Sequence, residues 1–209
     1  MKLITGGTVW QGPERGFQRG LDILVEGSTI ARVGEGLRQD PGTAGAEVID
    51  ASGRLVIPGL VNSHTHAAMT LLRSYADDLP LQEWLTQKIW PVEAGLTGDD
   101  VYWGTRLAIV EMIRAGITAF ADMYFFMDRV AQAVMESGIR AVLAPGMFDG
   151  EAWERQFADA KAVFREWHGA ADGRIQVAFG PHAPYSALRG MRLAAEAALE
   201  LGTMVHIHL

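Results

Sequence analysis

The spacing of hydrophobic positions along the chain changes once, near Pro58, and the change separates two kinds of structure. Before it, short alternating runs are divided by turn formers: residues 21–25 and 29–33 flank Glu26-Gly27-Ser28, and residues 47–50 and 54–57 flank Ala51-Ser52-Gly53. A period of two bounded by Gly and Ser marks half-buried strands joined by tight turns, so each pair is expected to form a hairpin. The stretch 38–45, with Asp40-Pro41-Gly42 at its centre, reads as an exposed excursion.

After Pro58, apolar strand runs alternate with segments of helical period, the pattern of βα units around a parallel sheet. Strands are expected at 60–64, 117–123, 139–143, 175–179 and 203–209. Helices are expected over 80–90, from Thr97-Gly98-Asp99-Asp100 to Gly116, over 129–137 before Gly138, over 151–167, and over 188–201 before Gly202. Thr97 and Asp100 have the spacing of a capping box, and glycine just past a helix is its common terminator. A Rossmann-type sheet would share this alternation. Yet no G-x-G-x-x-G follows a strand, no phosphate-loop motif occurs, and the polar candidates gather at strand C-termini, where barrel enzymes carry their sites. The expected fold class is α/β, a (β/α) barrel over residues 58–209 after a small β unit over residues 1–57; five strands cannot close such a barrel.

The bulk properties narrow the partners. A chain of 209 residues with 49% hydrophobic and 21% charged residues has the composition of an ordinary globular protein. Its formal charge of -7 argues against nucleic-acid and anionic-membrane surfaces and leaves a small molecule as the expected partner. Cysteine is absent, so a metal would have to rest on histidines and carboxylates. No apolar run has the length of a signal sequence or a membrane span, and a cytoplasmic location is expected.

Several residues carry candidate chemistry. His64 and His66 stand two apart at a strand end, so their imidazoles share a face and offer half of a divalent-metal site; the plainer reading is two polar histidines at a strand end. His182 lies between Pro181 and Pro184, which restrict the backbone around it, although a loop histidine bonded to backbone would look the same. Glu93, read without further context, is a solvated surface charge. Asp122 ends a strand and either lines a site or accepts backbone N–H bonds from a loop. His168 reads as a helix-end residue favoured by the dipole, and His206 as a polar packing residue one layer deeper than His208. Met69, Met123, Met127 and Met147 are pocket wall or core filler.

The run Pro58-Gly-Leu-Val-Asn-Ser-His64-Thr-His66-Ala-Ala-Met-Thr-Leu-Leu-Arg73, then Asp77-Asp-Leu-Pro-Leu-Gln-Glu-Trp-Leu85, Trp90-Pro-Val-Glu93, Gly180-Pro-His-Ala-Pro-Tyr185 and His206-Ile-His208, resembles the amidohydrolase superfamily. Within it the likeness is to the methylthioadenosine/S-adenosylhomocysteine deaminases. The resemblance implies a metal-dependent hydrolase-type barrel, here strands 1 to 5, with residues 1–57 as half of a β-sandwich. It also implies one divalent ion, most plausibly Zn2+, on His64, His66 and His208, with Glu93 on the ribose hydroxyls and His182 facing a purine nucleoside. Water acidified by the ion toward a pKa of about 7 would attack C6 of the purine. Other members acting on a ring C–N or C–Cl bond, guanine deaminases and triazine hydrolases, share the His-Thr-His start.

Three implied elements are not in these residues: a proton-shuttling glutamate three residues past His208, beyond residue 209, a strand-six histidine and a strand-eight aspartate. The chain is therefore expected to be inactive alone, needing a C-terminal half or a complementary chain, with homo-oligomerisation as a further option. One departure bears on the substrate. Where family members that use S-adenosylhomocysteine carry an arginine after the third strand, this chain has Pro145, which favours a substrate without the amino-acid carboxylate, such as methylthioadenosine or adenosine.

Overall fold

A computed structural model describes residues 1–209 as two compact units, Met1–Pro58 and Gly59–Leu209. In the first, β1 (Lys2–Thr5), β2 (Thr8–Trp10), β3 (Phe17–Arg19), β4 (Leu21–Glu26), β5 (Thr29–Glu35), β6 (Glu47–Asp50) and β7 (Leu55–Val56) form two sheets, ordered β5-β4-β1-β6 and β3-β2-β7. The β4–β5 hairpin forms as expected, closing through Glu26 opposite Thr29. The second expected hairpin does not: β6 runs parallel to β1 and β7 parallel to β2. Ala51 explains the difference, because its buried backbone N–H donates to the Thr5 carbonyl (2.8 Å) while its carbonyl accepts from Arg54 (2.9 Å), turning the chain from one sheet into the other. The expected excursion at 38–45 is also tied down. It forms two 3-10 turns, Leu37–Gln39 and Pro41–Thr43, whose Leu37 and Thr43 are buried, and the Thr43 hydroxyl donates to the Leu37 carbonyl at 2.7 Å.

The second unit begins with β8 (Leu60–Thr65) and a 3-10 segment, Ala67–Leu72. A helical run follows, made of α1 (Leu81–Trp84), a π turn (Leu85–Ile89) and α2 (Trp90–Glu93), and then the long α3 (Gly98–Arg114). Next come β9 (Ile117–Tyr124), α4 (Met127–Ser137), β10 (Arg140–Met147), α5 (Trp153–Trp167), the short α6 (Ala170–Gly173), β11 (Ile175–Val177), β12 (Gly180–Pro181), α7 (Pro184–Ala187) and α8 (Gly190–Leu201). The capping box of α3 is present: Asp100 accepts from the Thr97 N–H at 2.8 Å and Thr97 accepts from the Asp100 N–H at 3.3 Å. Gly138 and Gly202 end α4 and α8 in the left-handed conformation, as anticipated.

The sheet is parallel throughout, in the order β11-β10-β9-β8 with β12 also on β10, so the unit is an α/β fold whose sheet forms part of a barrel. Phe120, Leu143, Ile175 and Val177 of the strands pack with Val130, Ala131 and Val134 of α4 in the main core. Three strand expectations need correcting. The third strand does not stop at 143 but runs on through Pro145 to Met147, the Pro145 position pairing with Tyr124. The fourth, expected at 175–179, ends at Val177 as β11, and the short β12 pairs with β10 just beyond it. The fifth, expected at 203–209, is an extended segment with an isolated bridge at Val205 rather than a regular strand; it is held by Phe179 N–H to Met204 carbonyl (3.0 Å), His206 N–H to Phe179 carbonyl (2.9 Å) and His208 N–H to His182 carbonyl (3.0 Å).

Candidate metal and substrate site

The C-terminal ends of the parallel strands meet at one edge, where a barrel fold places its chemistry. Thr65 closes β8, and His66 is the N-cap of the 3-10 segment behind it. The turn is fixed by Asp122 of β9, whose carboxylate accepts the Ala67 N–H at 2.7 Å. Gly104 of α3 lets the segment lie against that helix: a Cβ there would come 2.7 Å from the Ala68 carbonyl oxygen.

His64, His66 and His208 converge, with one nitrogen of each within 4.8 Å of the others. The second nitrogen of each is engaged. His66 Nδ1 lies 2.6 Å from the Met123 carbonyl, His208 Nδ1 2.8 Å from the His182 carbonyl, and His64 Nδ1 2.7 Å from His206 Nε2. A carbonyl only accepts, so His66 and His208 carry their protons on Nδ1 and turn bare Nε2 atoms toward each other, 3.1 Å apart. Two lone pairs at that distance repel unless a cation lies between them. The alternative, a proton on one Nε2, requires an imidazolium, which burial disfavours at His66 by lowering its pKa. Zinc–nitrogen bonds of 2.0–2.1 Å would put two tetrahedral ligands about 3.3 Å apart, so the spacing suits a first-row divalent ion.

Beside this cluster is a cavity of about 380 Å³ walled mainly by Trp84, Trp90, Phe125, Phe148 and Tyr185, with Glu93 and His182 among its polar groups. His182 stacks on Phe148 with ring centroids 4.4 Å apart, and its Nδ1 meets the Ser186 hydroxyl at 2.7 Å. Burial holds it neutral, pulling its pKa down to about 4. Glu93 is not the solvated charge its isolated sequence suggests: it faces the cavity half-buried, and burial raises its carboxyl above the usual range. The buried Tyr124 hydroxyl has no partner in hydrogen-bond geometry, and after burial itself the nearby Glu93 charge pushes its pKa up most.

The remaining candidates sort clearly. Asp122 does accept a backbone N–H, but from within a strand and with no exposure, and burial raises its carboxyl to about 7. His206, read from the sequence as a packing residue, has its ring against that of His64, with Nε2 2.7 Å from His64 Nδ1. His168 caps α5 and accepts the Val177 N–H at 3.1 Å, a structural role. Met69 and Met123 line the cavity, while Met127 and Met147 are buried in core clusters. Sequence reasoning missed Tyr124 and Phe148; each lies at or just past a strand end, the one available signal.

The model of the amidohydrolase family matches residues 55–209. A 5-methylthioadenosine/S-adenosylhomocysteine deaminase of Pelotomaculum thermopropionicum is 49% identical over 211 residues, covering 99% of this chain and 48% of the relative. A 5'-deoxyadenosine deaminase of Methanoregula boonei is 50% identical over 194 residues, covering 90% of this chain and 44% of the relative. The crystal structure of a zinc-bound adenosine deaminase from Xanthomonas campestris superposes with a TM-score of 0.80 at 36% identity, over 99% of this chain and 48% of that one. The chain thus spans about half the length of the relatives it matches.

Proposed function

Because the chain belongs to the amidohydrolase family, we propose that the full-length protein hydrolytically deaminates an adenosine-type nucleoside, using one divalent ion, preferably zinc, held by His64, His66 and His208. The observation that carries this is the 3.1 Å approach of two unprotonated Nε2 atoms, which a shared cation relieves. Three histidines leaving a further coordination position open make the donor set of a catalytic rather than a structural zinc. Bound there, the ion would supply Lewis acidity and lower the pKa of a water toward about 7 beside the purine C6.

The chain's own residues bind and orient. Glu93 has two carboxylate oxygens, enough to accept both hydroxyls of a ribose side by side, and its half-buried position makes those bonds matter. His182, neutral and held by Ser186 and the Phe148 ring, offers its Nε2 edge to the purine. The aromatic wall suits an apolar 5' substituent, such as the 5'-methylthio or 5'-deoxy groups that the relatives' names include. Pro145 lies inside β10 and outside the cavity lining, so it does not occupy the place of an arginine after that strand and carries no weight for the substrate.

Steady-state kinetics on a panel separates the readings. 5'-Methylthioadenosine and 5'-deoxyadenosine are expected to give the highest kcat/KM, S-adenosylhomocysteine less, and guanine or a chlorotriazine almost none. Faster turnover of guanine or the triazine would overturn the substrate class, and faster S-adenosylhomocysteine would overturn the apolar 5' preference.

A further inference from the structure

Building on the metal reading above, we propose that His206 is a positioning residue: its Nε2 accepts the Nδ1–H of His64 and so fixes the ring and tautomer that turn His64 Nε2 toward the ion. Metal-bound histidines as a rule give their second ring N–H to a fixed acceptor. Here two of the three ligands use backbone carbonyls, Met123 for His66 and His182 for His208. The third uses an imidazole, 2.7 Å away, which can donate or accept.

The direction of that bond decides whether His64 is a ligand. Were His206 the donor, the proton of neutral His64 would sit on Nε2 and block it. With His64 as donor, His206 must carry its own proton on Nδ1, and that atom is buried with no hydrogen-bond partner. A histidine present for packing alone would leave this polar atom orphaned with nothing in return, since an apolar ring would fill the space without it. What the imidazole gains is the contact with His64, made edge-on with ring centroids 4.9 Å apart at 81°. Residues His206 and His208 therefore divide the work of one segment, His208 supplying a ligand and His206 steadying the ligand that comes from β8.

The test is the zinc dissociation constant of the full-length protein, measured by chelator competition for the parent, His206→Phe, His206→Gln and His66→Ala. Phe keeps a ring of similar size and removes the acceptor. It is expected to weaken zinc binding by about 10- to 100-fold, the usual effect of losing such a partner. Gln, whose amide oxygen reaches the position of Nε2, is expected to return the constant close to the parent value. Melting of the metal-free proteins reports packing separately, and the two His206 variants are expected to shift alike. Parent-like zinc affinity in His206→Phe, or equal weakness in His206→Gln, would overturn the proposal. A parent that binds no zinc, or a His66→Ala protein that binds it as tightly as the parent, would instead overturn the metal reading beneath it.

Discussion

His66 shows how much a single residue's surroundings add to its identity. The i, i+2 pairing with His64 was readable from spacing alone, because alternation along a strand sets which side chains share a face. What spacing could not give was the hydrogen bond from Nδ1 to the Met123 carbonyl, a contact between residues 57 positions apart that decides which nitrogen is free. We expect one zinc per chain in the full-length protein and its loss in His66→Ala, measured by metal analysis after dialysis; unchanged stoichiometry would remove this residue from the site. Glu93→Ala is expected to lower kcat/KM on a nucleoside with an intact ribose by about 10-fold or more, from hydrogen bonds lost in a half-buried site, while zinc content stays constant. Kinetics equal to the parent would exclude the ribose role.

Asp122 gives a pH-dependent outcome at the same scale. Burial raises its carboxyl from 3.8 to about 7, so the folded state binds this proton more tightly than the unfolded chain does. Its stabilising contribution is fully present below 3.8 and is lost as pH rises through about 7. His182 and His206, held down to about 4 by burial, act in the opposite sense: their contribution is present above 6.5 and is lost as pH falls to about 4. Comparing Asp122→Asn with the parent in metal-free form cancels the histidines. The variant keeps the acceptor for the Ala67 N–H and is expected to gain stability relative to the parent as pH rises from 3.8 to about 7. Denaturant unfolding that shows a pH-independent difference would contradict this.

At the scale of elements, caps and glycine terminators were readable because they act within a few residues, as at Thr97, Gly138 and Gly202. The errors arose where partners are distant. The sequence around Ala51 has the composition of a hairpin turn, yet its bond to Thr5 makes it a crossing between sheets. The helical run 81–93 hides a π turn: Trp90 donates its N–H five residues back to Leu85, just before Pro91, which has no N–H to give. That turn lies in the cavity wall with Leu85, Ile89 and Trp90. Close approach of α3 to the segment after His66 rests on Gly104. Gly104→Ala would force its methyl against the Ala68 backbone and is expected to cost about 1–3 kcal/mol, read by denaturant unfolding. A parent-like midpoint would mean that the segment shifts freely.

Taken whole, the chain's alternating βα pattern was enough for the α/β class of fold, and the spacing of His64 and His66 for half of the histidine cluster, because both depend on periods of two and 3.6 residues; His208 joins them through a contact that no local period encodes. The pairing of 203–209 was harder to read, since its regularity depends on what lies beside it. In this unit β8 forms one edge of the sheet with Leu60 and Val61 largely exposed. Exposed apolar edges invite pairing with other chains, so the 209-residue chain on its own is expected to self-associate, as seen by light scattering; a monomer with a cooperative melt would contradict that. The activity proposed for the full-length protein is metal-dependent deamination. It is tested most directly by ammonia release from 5'-methylthioadenosine, followed before and after chelation and again after zinc is restored. Activity that disappears with the metal and returns with zinc is the expected result, and undiminished ammonia release from the metal-free protein would contradict it.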